Sequence, residues 1–96
     1  MRYRLTRKAA EDVLRIYQHG LEIFGSDQAA KYHSRLKQTL ETLARNPEIA
    51  RARQELSPPA RVHPCGSHII VYIAEEGGGI LVLRVRHSRE DWTSNP

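Results

Sequence analysis

Two stretches of helical periodicity, separated by only two residues, constrain this chain more than any other feature. Apolar residues recur at Ala9, Val13, Ile16, Tyr17, Leu21 and Phe24. Their spacing of three or four places them on one face of a helix. Thr6 precedes the stretch, where its hydroxyl can accept a free amide of the first turn. Arg7, Lys8, Glu11, Arg15, Gln18 and Glu22 fall largely on the opposite face. Gly25 suits the position past the helix end, where left-handed backbone is needed, and Ser26 can cap a second helix at once. That helix carries the stripe Ala29, Tyr32, Leu36, Leu40 and Leu43 and stops at Asn46 and Pro47. Proline cannot continue the ladder and pushes the residue before it out of helical geometry. The second helix is about 20 residues, or roughly 30 Å, long. With only Gly25 and Ser26 between them, the two helices must form an antiparallel hairpin.

The flanking segments have a different period. Arg2, Tyr3, Arg4 and Leu5 alternate polar and apolar, as in a short half-buried strand. Periodicity is lost from Glu48 to Pro59, and Pro58 with Pro59 fits neither a helix nor a central strand. This is a connector with room for one helical turn. Residues 60–64 form a candidate short strand. Residues 68–74 are β-branched and apolar on both faces, which predicts a central strand. Glu75 to Gly79 is a glycine-rich turn, and Ile80 to His87 is the antiparallel partner. Ser88, Glu90 and Asp91 read as a capping box for a last short turn ending near Trp92. The fold class is therefore α+β: a short N-terminal strand, then an antiparallel helix hairpin packed on an antiparallel sheet of three to four strands. Neither layer can bury its apolar stripe alone, so residues 1–96 are expected to make one domain.

Composition narrows the function classes. The 96 residues are 40% hydrophobic and 27% charged, an ordinary globular balance. A chain of this length buries about two thirds of its unfolded surface. Cys65 is the one cysteine, so a disulfide-stapled secreted domain is not expected. Charges fill the N-terminus where a signal peptide needs an apolar stretch, and no apolar run reaches membrane-span length. A cytoplasmic location is the expectation. The net charge of +4 suits nucleic acid or an acidic protein partner, and equally suits plain solubility.

The chemistry-bearing residues do not assemble into a standard motif. His63, Cys65 and His68 are close in sequence, but their spacing matches no zinc site. Cys65 and His63 lack a third orienting group for nucleophilic catalysis. Gly77, Gly78 and Gly79 precede a strand and no helix, so they cradle no phosphate. No cofactor or metal is expected. Glu11 with Asp12, Glu75 with Glu76, and Glu90 with Asp91 read as solvated charge. Arg84 and Arg86 alternate with Leu83 and Val85 and leave one face of the last strand together. His87 and Arg89 follow, and Arg61 on the neighbouring strand is a candidate to join them. Such a face suits phosphate or carboxylate.

An ordered set of segments resembles the ParE branch of the ParE/RelE toxin superfamily, the plasmid-stabilisation toxins. Leu5 and Thr6 with Ala10, Glu11, Asp12 and Ile16 open the first helix. Phe24, Gly25, Gln28, Ala29 and Tyr32 form the corner, and Leu43, Ala44 and Pro47 close the second helix. Ile70, Val71 and Tyr72, then residues 82–87 leading to Asp91 and Trp92, supply the β part. The resemblance implies the toxin of a type II toxin–antitoxin pair, neutralised by a ParD-like antitoxin in a hetero-oligomer that contacts operator DNA indirectly through the antitoxin. It implies DNA gyrase as the target, inhibited by binding and not by catalysis. RelE-like relatives instead cleave messenger RNA on the ribosome. Here no tyrosine follows Tyr72, although His87 preserves one element of such a site. A third reading is a non-toxic partner of its antitoxin. The expected target-binding residues are Arg84, Arg86, His87, Arg89, Trp92 and Arg61, and the expected antitoxin-binding residues are Tyr17 and Tyr32.

Overall fold

The computed structural model describes residues 2–90. Strand β1 (Tyr3–Leu5) leads into helix α1 (Arg7–Phe24), followed by α2 (Ser26–Arg45), a 3-10 turn (Pro47–Ile49), β2 (Ala52–Arg53), β3 (Ala60–Cys65), β4 (His68–Ala74) and β5 (Ile80–His87). The strands form one sheet in the order β1-β5-β4-β3-β2. The helix hairpin lies on one face of that sheet, so the α+β architecture read from the sequence holds. The sheet itself is larger and mixed. It has five strands, because the connector contributes β2, and β1 runs parallel to β5 while the other pairings are antiparallel. No helix among the described residues is long and apolar enough to cross a membrane.

Local chemistry sets the helix ends. The Thr6 hydroxyl accepts from the Ala9 amide at 3.0 Å and donates to the Leu83 carbonyl at 2.8 Å, tying the start of α1 to β5. Gly25, at φ 87°, is both the last cap of α1 and the first cap of α2. Its positive φ needs a residue without Cβ. Ser26 is thereby the first residue of α2 and makes no side-chain cap bond, contrary to its expected capping role.

The main core lies between the hairpin and the sheet. α2 contributes Leu36, Leu40, Leu43 and Ala44, and the sheet contributes Ile70, Tyr72, Ile80, Val82 and Val85. α1 buries Ala9 and packs Val13 and Ile16. Its stripe is narrower than the sequence implied: Leu21 and Phe24 are exposed, and Tyr17 is half-buried. Gly20 lies so close to α2 that a Cβ there would meet the Ala29 methyl at 3.4 Å. A second cluster covers the opposite sheet face, where Leu56 of the connector packs on Ala60, Ile69 and Val71. Burial on both faces makes β4 the central strand expected from its composition.

One irregularity positions the site. The β4–β5 register slips between Val71 and Tyr72, which pair with Arg84 and Val82. Leu83 is the extra residue of the resulting bulge. Meanwhile β1 covers the edge of β5 only from Ile80 to Val82. The edge amide of Val85 lies beyond it and needs another acceptor.

Candidate functional site

That acceptor is Asp12, the only buried charged residue among those described, at 3% exposure. Its carboxylate accepts from the Val85 amide at 3.0 Å. It also accepts a bidentate pair from Arg84, with Nε at 2.7 Å and Nη2 at 2.9 Å. Asp12 is therefore not the solvated charge its neighbour Glu11 suggested. Its inward placement follows from the helical period: residue 12 falls one turn before Ile16 and beside Ala9 and Val13. The Asp12 hydrogen bond, more than its charge, holds the Arg84 guanidinium above its usual range. Arg84 leaves β5 opposite Val71, on the sheet face away from the helices, and curls round the uncovered edge to reach α1.

Beside this pair a cleft of about 540 Å³ opens between the hairpin and the far end of β4 and β5. Tyr32 of α2 and His68 of β4 meet within it. Tyr32 Oη lies 2.6 Å from His68 Nδ1 and 3.0 Å from the Cys65 carbonyl. A phenol carries one hydrogen, so both contacts are satisfied when Nδ1–H donates to Oη and Oη–H donates to the carbonyl. A Cβ on Gly66 would sit 2.6 Å from the Tyr32 ring, so the glycine makes this approach possible. His87 stands across the strand pair from His68, with ring centroids 5.3 Å apart. Burial, and secondarily the nearby His87, push the His68 imidazole below its ordinary range. Tyr17 meets His33 edge-on at 5.5 Å on the opposite wall. His19 also lines the cleft, so four histidines face one cavity.

The residues expected at the target surface separate. Arg84 is tied to Asp12. Arg86 pairs with Glu90 at 3.0 Å. His87 accepts from the Arg89 amide at 3.1 Å through Nδ1, and its own amide donates to Glu90 at 2.8 Å. These bonds hold Glu90 below the usual carboxylate range, the His87 amide first and Arg86 second. Arg89 is exposed on the turn after β5. Arg61 does not join the group: it lies on β3, beyond β4, and donates to the Ala50 carbonyl. Trp92 lies outside the described residues. Tyr17 and Tyr32, the residues expected to meet the antitoxin, do come together on one cleft. His63, Cys65 and His68 diverge, since Cys65 is buried with Sγ 3.6 Å from the Thr39 hydroxyl, while His68 turns to Tyr32. Among the described residues no three His, Cys, Asp or Glu side chains could hold a metal ion.

Sequence reasoning missed Asp12, His68, His19 and His33. For Asp12 the signal was present, as an acid within an apolar helical stripe. For the histidines it was not, because only the fold brings α1, α2, β4 and β5 to one cavity. A cleft of aromatic rings and imidazoles with an apolar floor suits a peptide segment carrying apolar side chains and a few hydrogen-bonding groups.

Comparison with known proteins is consistent with this architecture. Residues 3–92 match the family described as the ParE toxin of the type II toxin–antitoxin system, parDE. The chain is 35% identical over 94 residues to a protein named Toxin ParE1 from Mycobacterium tuberculosis, covering 98% of this chain and 96% of that one. It is 32% identical over 85 residues to Toxin ParE1 of Caulobacter vibrioides, covering 88% and 86%. A solved structure titled as the chromosomal ParDE TA system from P. aeruginosa shares the fold, with a TM-score of 0.75 at 24% identity, covering 91% of this chain and 95% of that one. With sequence similarity running from β1 to the residues beyond β5, this chain belongs to the ParE toxin family of type II toxin–antitoxin systems.

Proposed function

We propose that this toxin inhibits DNA gyrase by binding it, without catalysis, and is neutralised by a ParD-like antitoxin that fills the histidine-lined cleft. The observation that carries the reading is the family match over residues 3–92, which includes every element lining the cleft. The P. aeruginosa relative is described as a ParDE system, which supports a ParD-type partner here. Contact with operator DNA is then indirect, through the antitoxin, and the toxin works in the cytoplasm.

The electrostatics favour binding over ribonuclease chemistry. Cleaving RNA at its 2′-hydroxyl needs a base, an acid and a cation free to meet developing charge. Arg84 and Arg86 instead face Asp12 and Glu90, and Arg61 lies across the sheet from His87. The test is supercoiling by purified gyrase with the toxin added. Loss of supercoiling with accumulation of cleaved DNA is expected, and undisturbed supercoiling would overturn the reading. Messenger RNA cleavage in a translation extract, abolished by His87→Ala, would replace it with a RelE-type ribonuclease. Healthy growth on expression without the antitoxin would mark a non-toxic partner protein. For the cleft, Tyr17→Ala together with Tyr32→Ala is expected to weaken antitoxin binding by about tenfold or more, measured by calorimetry.

A further inference from the structure

The acids of the cleft are already engaged. Among the described residues that line it, the carboxylates are Asp12 and Glu90. Asp12 is held by Arg84, Arg15 and the Val85 amide. Glu90 is held by Arg86 and the His87 amide. Each of these acids thus has an arginine against it, and the other ionisable side chains of the cleft are two tyrosines, Tyr17 and Tyr32, and the four histidines. Cys65, opposite His68 in the β3–β4 register, is buried in the core. An imidazole changes charge near neutral pH, and each proton added to such a group of rings repels the next.

The two imidazoles at the sheet end differ in the nitrogen left free. His87 Nδ1 accepts from the Arg89 amide at 3.1 Å, so its Nε2 carries hydrogen and is a donor. His68 Nδ1–H donates to the Tyr32 hydroxyl at 2.6 Å, so Nε2 of the neutral ring is a bare acceptor. That nitrogen has no partner among the described residues. It is also open to solvent, since the one unpaired side-chain nitrogen or oxygen that is buried is His63 Nδ1. In the free toxin, burial first and His87 second hold the His68 ring below the ordinary 6.5, with His19 adding to the effect and Glu90 opposing it. A carboxylate brought onto Nε2 reverses that balance, because it favours the imidazolium and offsets the repulsion from the other rings.

The walls select the kind of anion. Ile16, Phe24, Ala29 and Leu36 line the same cleft. Such walls suit a peptide that alternates apolar and acidic side chains better than a hydrated phosphate backbone. We propose that the antitoxin segment filling this cleft is acidic, and that one of its carboxylates seats on His68 Nε2, which takes up a proton as the complex forms. The inference rests on the antitoxin occupying the cleft, as proposed above. A proton held more tightly in the complex than in the free toxin makes affinity rise as pH falls. The gain begins as pH drops through the pKa of the complex and is complete below that of the free toxin.

Calorimetry of the full chain with its ParD-like antitoxin, in buffers of low and high ionisation heat, counts the protons taken up. Uptake is expected near about pH 6.5, and affinity should rise about threefold or more between about pH 8 and 6. His68→Gln, shown to be folded by circular dichroism, should abolish the uptake attributed to this ring and flatten the pH dependence. In the wild type, ring-proton NMR should show the His68 pKa higher in the complex than in the free toxin. Changing the Asp and Glu residues of the antitoxin segment to Asn and Gln should remove the same uptake. A His68 pKa that does not rise, uptake that survives His68→Gln, or amide variants with an unchanged pH dependence would each overturn the proposal. So would a short RNA that displaces the antitoxin, which would make nucleic acid the occupant. Failure of the underlying reading looks different: Tyr17→Ala with Tyr32→Ala would then leave antitoxin affinity unchanged, and this inference would fall with it.

Discussion

Asp12 and Arg84 show how one residue can join two layers of a small fold. Asp12 satisfies an edge amide that no strand reaches and neutralises a cation that would otherwise lie unpaired beside the cleft. Such a pair adds less to stability than its Coulomb energy suggests, because burying the Asp12 carboxylate costs its hydration. Removing Asp12 is different, since the Val85 amide and the half-buried Arg84 guanidinium then lose their acceptor. Asp12→Ala is expected to cost about 1–3 kcal/mol in urea denaturation. A cost under about 1 kcal/mol would mean that Arg84 swings out to solvent and the pair is not structural. In the sequence Glu11 and Asp12 looked alike. Only the helical phase separates them, placing one outward and the other against β5.

The two helices, similar in length, do different work. α2 drives leucines into the core, whereas α1 spends a stripe of comparable hydrophobicity on solvent-facing positions. Leu43, fully buried, should cost about 2–5 kcal/mol when changed to alanine. Leu14→Ala should change stability by no more than about 0.5 kcal/mol. Paired urea melts check both. Equal costs would contradict the burial assigned to α1. Helix boundaries and the hairpin turn were legible because capping, glycine and proline chemistry act within a few residues. The width of the α1 stripe was not, because hydrophobic spacing alone does not tell which apolar residue a neighbour will cover. The bulge at Leu83 and the two-residue strand β2 were equally silent, being set by pairing across the sheet.

At the level of the whole molecule, acid should destabilise the fold in two stages. His68 is held below its ordinary pKa of 6.5 in the folded state, mainly by burial. The unfolded chain therefore binds the proton more readily, and stability falls as pH drops through the unfolded value near 6.5, until the folded imidazole also protonates. Glu75, held low by its hydrogen bond with Arg4, and Glu90 shift in the same direction as folded-state carboxylates. Their contribution is present above the ordinary carboxylate range and is lost as pH falls through it. Urea midpoints should fall between pH 7.5 and 5.5, and His68→Gln should flatten that step; an unchanged step would assign the effect to other groups. By itself the sequence determined the helix hairpin, the β-rich last third and the family, because these depend on local periodicity, backbone-specific residues and an ordered set of segments. Tertiary structure alone decided that β1 runs parallel to β5, that Asp12 and Arg84 close the sheet edge, and that four histidines share one cleft. Those features join residues from distant parts of the chain, and no local energy records which of them will meet.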